Sequence, residues 1–152
     1  MPVHVALWEP EIAPNTGNVG RLCVAASTPL HLVGRLGFHL DARSLRRAGL
    51  DYWDHVDLHR HVTLSDLIAA LPHRRIICFS AHARRRYTEM RFQEEDCLLF
   101  GSESRGLPED ALRRFAETAV TIPMPGGKVR SLNLATAVGI GLYEALRQLN
   151  NW

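Results

Sequence analysis

The chain has 152 residues, of which 46% are hydrophobic and 22% charged, with a formal net charge of +2. That length suits one domain, which buries roughly 68–70% of the surface its unfolded chain would expose and so folds without staples. No run approaches the roughly 18 apolar residues of a membrane-spanning helix. The N-terminus has neither the basic start nor the small-residue cleavage site of a secretion signal, so a soluble cytoplasmic protein is expected.

In chain order, the first predicted element is a strand, "VHVALW" (3–8). A proline-bearing turn, "EPEIAP", leads to "NTGNVGR" (15–21), which opens a helix predicted over "GNVGRLCVAAS" (17–27). Further strands are predicted at "LHLVG" (30–34), "RIICFS" (75–80), "DCLLFG" (96–101) and "AVTIP" (119–123). Helices are predicted at "TLSDLIAAL" with Thr63 at its start, at "PEDALRRF" with Pro108 in the first turn, and at "SLNLATAVGIGLYEALRQL". This alternation predicts an α/β fold: one domain over residues 1–152, with a mostly parallel sheet flanked by helices, no linker and no repeat.

In such sheets ligands lie beyond the carboxyl ends of the strands, where loops and helix N-termini present unpaired N–H groups. Glycine, proline, serine, asparagine and arginine gather there in "EPEIAPNTGNVGR", "AHARRRY", "SESRGLP" and "MPGGKVRSLN". The glycine spacing matches neither GxGxxG nor a Walker loop, which argues against a dinucleotide or nucleoside triphosphate. Asn15 or Thr16 is suited to cap the first helix. Arg21 falls in the first turns of the helix predicted over 17–27, where a cation opposes the helix dipole and an anionic partner would offset the cost.

In "FGSESRGLP", Glu103 and Arg105 sit between glycines, in a turn tight enough to fix side-chain directions. In the last helix Gly139 and Gly141 each cost about 1 kcal/mol relative to alanine, and close packing against another backbone is the expected compensation. Ser131 occupies an N-cap position with Asn133 just after it, so that helix entrance presents hydroxyl, amide and N–H groups.

Cys23, Cys78 and Cys97 are odd in number, far apart and embedded in apolar sequence, as expected of buried reduced thiols. His55, His59 and His61 in "HVDLHRH" have no HExxH pattern and no acidic ligand set. They read as surface or loop histidines, and no metal is expected. Arginine clusters in "RSLRRAG" and "HARRRYTEMR" suit a phosphate-binding surface as well as a solvated one.

"NTGNVGR", "FGSESRGLP" and "IPMPGGKVRSLNLATAVGIGLYEALRQ", in that order on a chain of this length, resemble motifs one, two and three of the SpoU branch of the SPOUT methyltransferases. "EPEIAPNTGN" and "LRRAGLDYW" resemble its compact single-domain type. The resemblance runs from about residue 3 to residue 149. It implies a deep C-terminal trefoil knot, a homodimer and S-adenosyl-L-methionine as cofactor. The methyl acceptor it implies is the ribose 2′-hydroxyl of the wobble nucleotide of leucine tRNAs.

Position by position, the resemblance implies a cofactor site at Phe79, Gly101, Ile122, Ser131 and Leu132, held largely through backbone. It implies catalytic roles for Arg21, Asn15, Glu103, Ser131 and Asn133, and places Tyr143 near the dimer and active-site region. RNA contacts are expected from Arg46, Arg47, Arg84, Arg85 and Arg86, with Tyr143. Arg21 is expected to bind a phosphate and the reacting oxygen, while Glu103 or a water takes the proton, because a guanidinium stays protonated. The alternatives are methylation of another tRNA position or of rRNA, a non-catalytic RNA-binding module, and a small-molecule dinucleotide enzyme.

Overall fold

The computed structural model describes residues 1–41 and 51–152. Strands buried on both faces need near-continuous apolar sequence, and four short runs supply it: β1 (His4–Trp8), β2 (Leu30–Val33), β4 (Ile76–Phe79) and β5 (Cys97–Phe100). With the edge strand β3 (Leu58–His61) they form a five-stranded parallel sheet in the order β3-β2-β1-β5-β4. Val5 of central β1 pairs with Leu30 on one side and Leu98 on the other. The strand order reverses between β1 and β5, so the loops that follow these two strands meet at the switch point, where open parallel sheets bind ligands.

Alternate residues build two cores. Val5, Leu7, Leu32, Ile77, Leu98 and Phe100 pack with helices α1 (Ala13–Ala25) and α4 (Leu134–Asn150) through Val19, Cys23, Val138 and Leu142. On the other face Ala6, Val33, Cys78 and Leu99 pack with α2 (Leu64–Ala70) and α3 (Glu109–Arg114) through Leu64, Leu67 and Ala111. All three cysteines are buried, and burial pushes the Cys23 and Cys78 thiols up to about 12. Among the described residues no helix is long and apolar enough to cross a membrane.

Thr63 caps α2 as expected, in a reciprocal capping box with Asp66. Pro108 is the N-cap residue of α3, immediately ahead of its first turn. Other expectations need correction. Helix α1 starts at Ala13, four residues before the predicted start, with Ile12 at the N-cap position and a proline in the first turn. Asn15 and Thr16 are therefore inside the helix and do not cap it. Arg21 is eight residues beyond the start, too deep for the dipole to disfavour it, since that effect fades within the first turn.

Segment 119–123 makes only single bridges, Val120 to Phe79 and Thr121 to Arg86, before the proline at 123. Strand β3, conversely, escaped detection because an edge strand is half exposed and can be polar. His59 and His61 are strand residues, and of these three histidines His55 and His59 are exposed while His61 is half-buried. His61 joins a buried chain: His31 Nδ1 lies 2.9 Å from His61 Nε2, and His31 Nε2 lies 2.9 Å from His4 Nδ1.

Gly20 of "NTGNVGR" serves the packing of the chain on itself. A 3₁₀ turn at Asp51–His55 lies across α1. Tyr52 Oη donates to the Gly17 carbonyl at 2.8 Å, and a Cβ on Gly20 would come within 2.4 Å of the Trp53 ring. Arg21 then rests over the Tyr52 ring, 5.9 Å from its centroid.

Candidate active site

A cavity of about 790 Å³ opens at the carboxyl ends of β4 and β5. Its wall is made by the loop after each strand, by residues 121–134 and by the entrance of α1. The apolar part includes Phe79, Phe100, Leu107, Leu112, Ile122 and Leu134, and the polar part includes Ser80, Glu103, Ser131 and Asn133. Such a mixture suits a ligand with one flat apolar portion and one polar portion.

The polar rim is a single hydrogen-bonded chain across the three sequence motifs. One oxygen of Glu103 accepts from the Glu11 backbone N–H at 2.8 Å; the other accepts from the Ile12 N–H at 2.9 Å and from Asn15 Nδ2 at 3.2 Å. Helix α1 has no side-chain cap of its own, so the Glu103 carboxylate satisfies its entrance and complements its dipole. Asn15 Oδ1 in turn accepts from Asn133 Nδ2 at 3.0 Å, and Asn133 Oδ1 accepts from the Thr136 N–H at 3.2 Å. Asn133 is thus the N-cap of α4, and Ser131 is not. Ser131 lies two residues ahead with its side chain exposed on the cavity wall.

The second motif is also braced from below. Glu11 Oε1 accepts from the backbone N–H and the hydroxyl of Ser104, at 3.0 and 2.6 Å, and these bonds hold its carboxyl below the usual range. Gly101 is required here: a Cβ would come within 2.1 Å of the Gly106 carbonyl carbon and 2.3 Å of the Leu107 nitrogen. Gly106, at φ +67°, lets the turn close.

Asn15, Phe79, Gly101, Glu103, Ile122, Ser131, Leu132 and Asn133 all line the one cavity. Arg21, Tyr143, Arg84, Arg85 and Arg86 do not, and Arg46 and Arg47 lie outside the described residues. Phe79, expected in a site held largely through backbone, also contributes its side chain to the packing. Its ring stacks on Phe100 with centroids 4.5 Å apart, and it fills the space left by Gly141, where a Cβ would sit 2.7 Å from it. Side-chain packing, and not a second backbone, therefore compensates Gly141. Gly139 meets only Leu22 Cδ2, at 3.9 Å.

Sequence reasoning missed Glu11 and Arg130. Glu11 falls in the proline-bearing turn "EPEIAP", and only its pairing with Ser104 shows its use. Arg130 falls in "MPGGKVRSLN" with no local signal to single it out, and it lines the cavity. Among the described residues no group of three or more His, Cys, Asp or Glu side chains converges as a metal site.

The model of the SpoU rRNA methylase family matches residues 2–143. The chain belongs to the SpoU methylase family. It is 44% identical over 148 residues to a tRNA (cytidine(34)-2′-O)-methyltransferase of Burkholderia ambifaria, covering 95% of this chain and 94% of the relative. A solved structure concerned with the 2-OH methylation of C/U34 on tRNA is 52% identical, with a TM-score of 0.92 over 99% of this chain and 97% of the other. The SpoU methyltransferase AviRb from Streptomyces viridochromogenes, in complex with the cofactor AdoMet, is 25% identical, with a TM-score of 0.82 over 99% of this chain and 62% of that one. The five-stranded parallel sheet and its flanking helices are therefore the family's fold.

Proposed function

We propose that this chain is an S-adenosylmethionine-dependent RNA methyltransferase that methylates the ribose 2′-hydroxyl of the wobble nucleotide of leucine tRNAs, working as a homodimer. The observation that carries this reading is the convergence of all three motifs on one cavity through the Glu103–Asn15–Asn133 chain. The near full-length likeness to a wobble-nucleotide 2′-O-methyltransferase supports the tRNA position. Leucine isoacceptors and the trefoil knot rest on the motif resemblance alone.

The residues present fit the cofactor. Phe79, Leu107, Ile122 and Leu134 offer an apolar slot for its base, while Gly101 and Leu132 bring backbone and Ser131 a hydroxyl to its polar parts. When bound, S-adenosylmethionine supplies an electrophilic sulfonium methyl. The chain's own task is mainly alignment and exclusion of water, which is enough for much of the acceleration of an in-line displacement. Glu103 is assigned a positioning role, since three hydrogen bonds tie its two oxygens to the entrance of α1. A water is assigned as the proton acceptor, in place of that carboxylate.

Arg21 is assigned to the substrate phosphate and the reacting oxygen. It is exposed and lies outside the wall of the cavity in its own chain, which fits a site completed by a second chain or by the RNA. The exposed rings of Tyr143, within α4, and Trp152, just beyond it, lie 6.3 Å apart and offer an apolar surface for that second chain. Arg84, Arg85 and Arg86 are exposed on the loop after β4 and suit phosphate contacts.

The test is methyl transfer from labelled S-adenosylmethionine into tRNA from cells lacking this protein, with nuclease digestion and mass spectrometry to place the methyl. A ribose methyl on the wobble nucleotide of leucine tRNAs, absent with Arg21→Ala, is expected. Methylation of a different RNA position would overturn the substrate, and no cofactor binding would overturn the reaction.

A further inference from the structure

A second cleft, of about 510 Å³, opens at the carboxyl ends of β2 and β3 on the same rim as the main cavity. It is lined by Glu9, Gly34, Arg35, Arg60, His61 and Val62. The exposed guanidinium groups of Arg35 and Arg60 have no carboxylate partner among the described residues. His61 has Nε2 turned to His31, which leaves its other nitrogen without a partner among the described residues.

The one acid of the cleft is already engaged. Glu9 Oε1 accepts from Arg105 at 3.1 Å, and Oε2 accepts from the Arg35 backbone N–H at 3.0 Å. Its backbone stands in the left-handed region at φ +44°, an uncommon and costly conformation away from glycine, which the surrounding bonds hold in place. Gly34, at φ +82°, makes the approach possible, since a Cβ there would lie 2.6 Å from Glu9 Cγ. The Arg105 guanidinium therefore offsets the one carboxylate of the cleft, and those of Arg35 and Arg60 are left unpaired among the described residues. Arg105 belongs to both places, because it also lines the main cavity, so the two openings are one ion pair apart.

We propose that the Arg35–Arg60 cleft is a phosphodiester-binding site, which holds the RNA strand beside the nucleotide that enters the main cavity. This rests on the RNA-methyltransferase reading of that cavity. An arginine fork is matched to phosphate oxygens, and two unpaired forks flanking a rim that leads to the reaction site give a strand a defined path. Glu9 is a positioning residue: it fixes the Arg35 backbone and the Arg105 side chain relative to each other.

The test is binding of a synthetic anticodon stem-loop RNA by the full chain over a series of salt concentrations, for wild type, Arg35→Gln/Arg60→Gln and Arg35→Lys/Arg60→Lys, with S-adenosylmethionine binding measured alongside. Two lost contacts to a single-stranded segment should lower the slope of log K against log salt by about 1.4. We expect the glutamine pair to weaken RNA binding at least tenfold with that smaller slope, and to leave cofactor affinity and thermal unfolding unchanged. The lysine pair should restore the slope but only part of the affinity, because it keeps charge and loses the fork. An unchanged slope in the glutamine pair, with or without weaker binding, would overturn the proposal. A wild-type protein that binds cofactor but no RNA would instead overturn the substrate reading on which it rests.

Discussion

Lowering the pH from 7 to 5 should destabilise this fold through its buried histidine chain. His31 is 2% exposed and bonded on both ring nitrogens to His4 and His61, so a charge there has little solvation, and burial pushes its pKa down from 6.5 to about 3. A histidine lowered in the folded state is neutral in both states above pH 6.5, and its contribution is then complete. As the pH falls below 6.5 the unfolded chain takes up a proton that the folded chain refuses, and stability declines until about pH 3. Between pH 7 and 5 that single site removes about 2 kcal/mol, with a further loss of the same sign from His4 and His61, also lowered chiefly by burial. The carboxylates held low by hydrogen bonds, Glu11, Glu89 and Glu144, act with the same sign but only as the pH approaches their ordinary value of 4.5, so the window above pH 5 isolates the histidines. The assay is urea unfolding at pH 7, 6 and 5 at fixed protein concentration, for wild type and His31→Gln. The variant should be less stable at pH 7 and much flatter with pH. A wild-type stability that is level or rising from pH 7 to 5, or a variant with the same slope, would refute the reasoning.

The two glycines of α4 should respond oppositely to alanine. Gly141→Ala drives a methyl into the Phe79 ring and should lower stability by about 1–2 kcal/mol. Gly139→Ala meets only ordinary contact and should raise the melting temperature of the isolated chain by roughly 2–4 °C, while sedimentation shows whether the added methyl weakens a dimer. Glu103→Gln replaces one accepting oxygen by an N–H donor facing α1, so thermal stability and methyl transfer should fall together with an unshifted pH–rate profile; a loss of the acid limb at unchanged stability would make Glu103 the proton acceptor instead. Arg21→Lys should cut turnover at saturating RNA by tenfold or more, and near-normal turnover would rule out bidentate contact by this guanidinium.

Much of the fold was legible because β1, β2, β4 and β5 are apolar but for His4 and His31, and because Thr63 and Pro108 sit at helix starts. Strand β3 was not legible, since an edge strand with His59, Arg60 and His61 lacks the apolar run that marks buried strands. The start of α1 was misplaced for a related reason. Its entrance is satisfied by a glutamate 91 residues away in sequence from Ile12, so no local capping signal exists to be read. The Ser131 cap failed similarly: both Ser131 and Asn133 are good capping types, and only the bond from the Thr136 N–H chooses between them.

That non-local cap changes how the motifs depend on one another. The turn of the second motif holds Glu103 in position through the close approach of Gly101 and Gly106 and through the Glu11–Ser104 bonds. Glu103 then fixes the first turn of α1 and the Asn15 amide, and Asn15 orients the residue that starts α4. A disturbance in any one motif reaches the other two through three side chains, without passing through the sheet. Loss of activity from a substitution at Glu103, Asn15 or Asn133 therefore does not identify a reacting group. Ser131 and Arg21, which make no hydrogen bond to that network among the described residues and stand at the surface, are where chemistry or substrate contact is most separable from support of the fold.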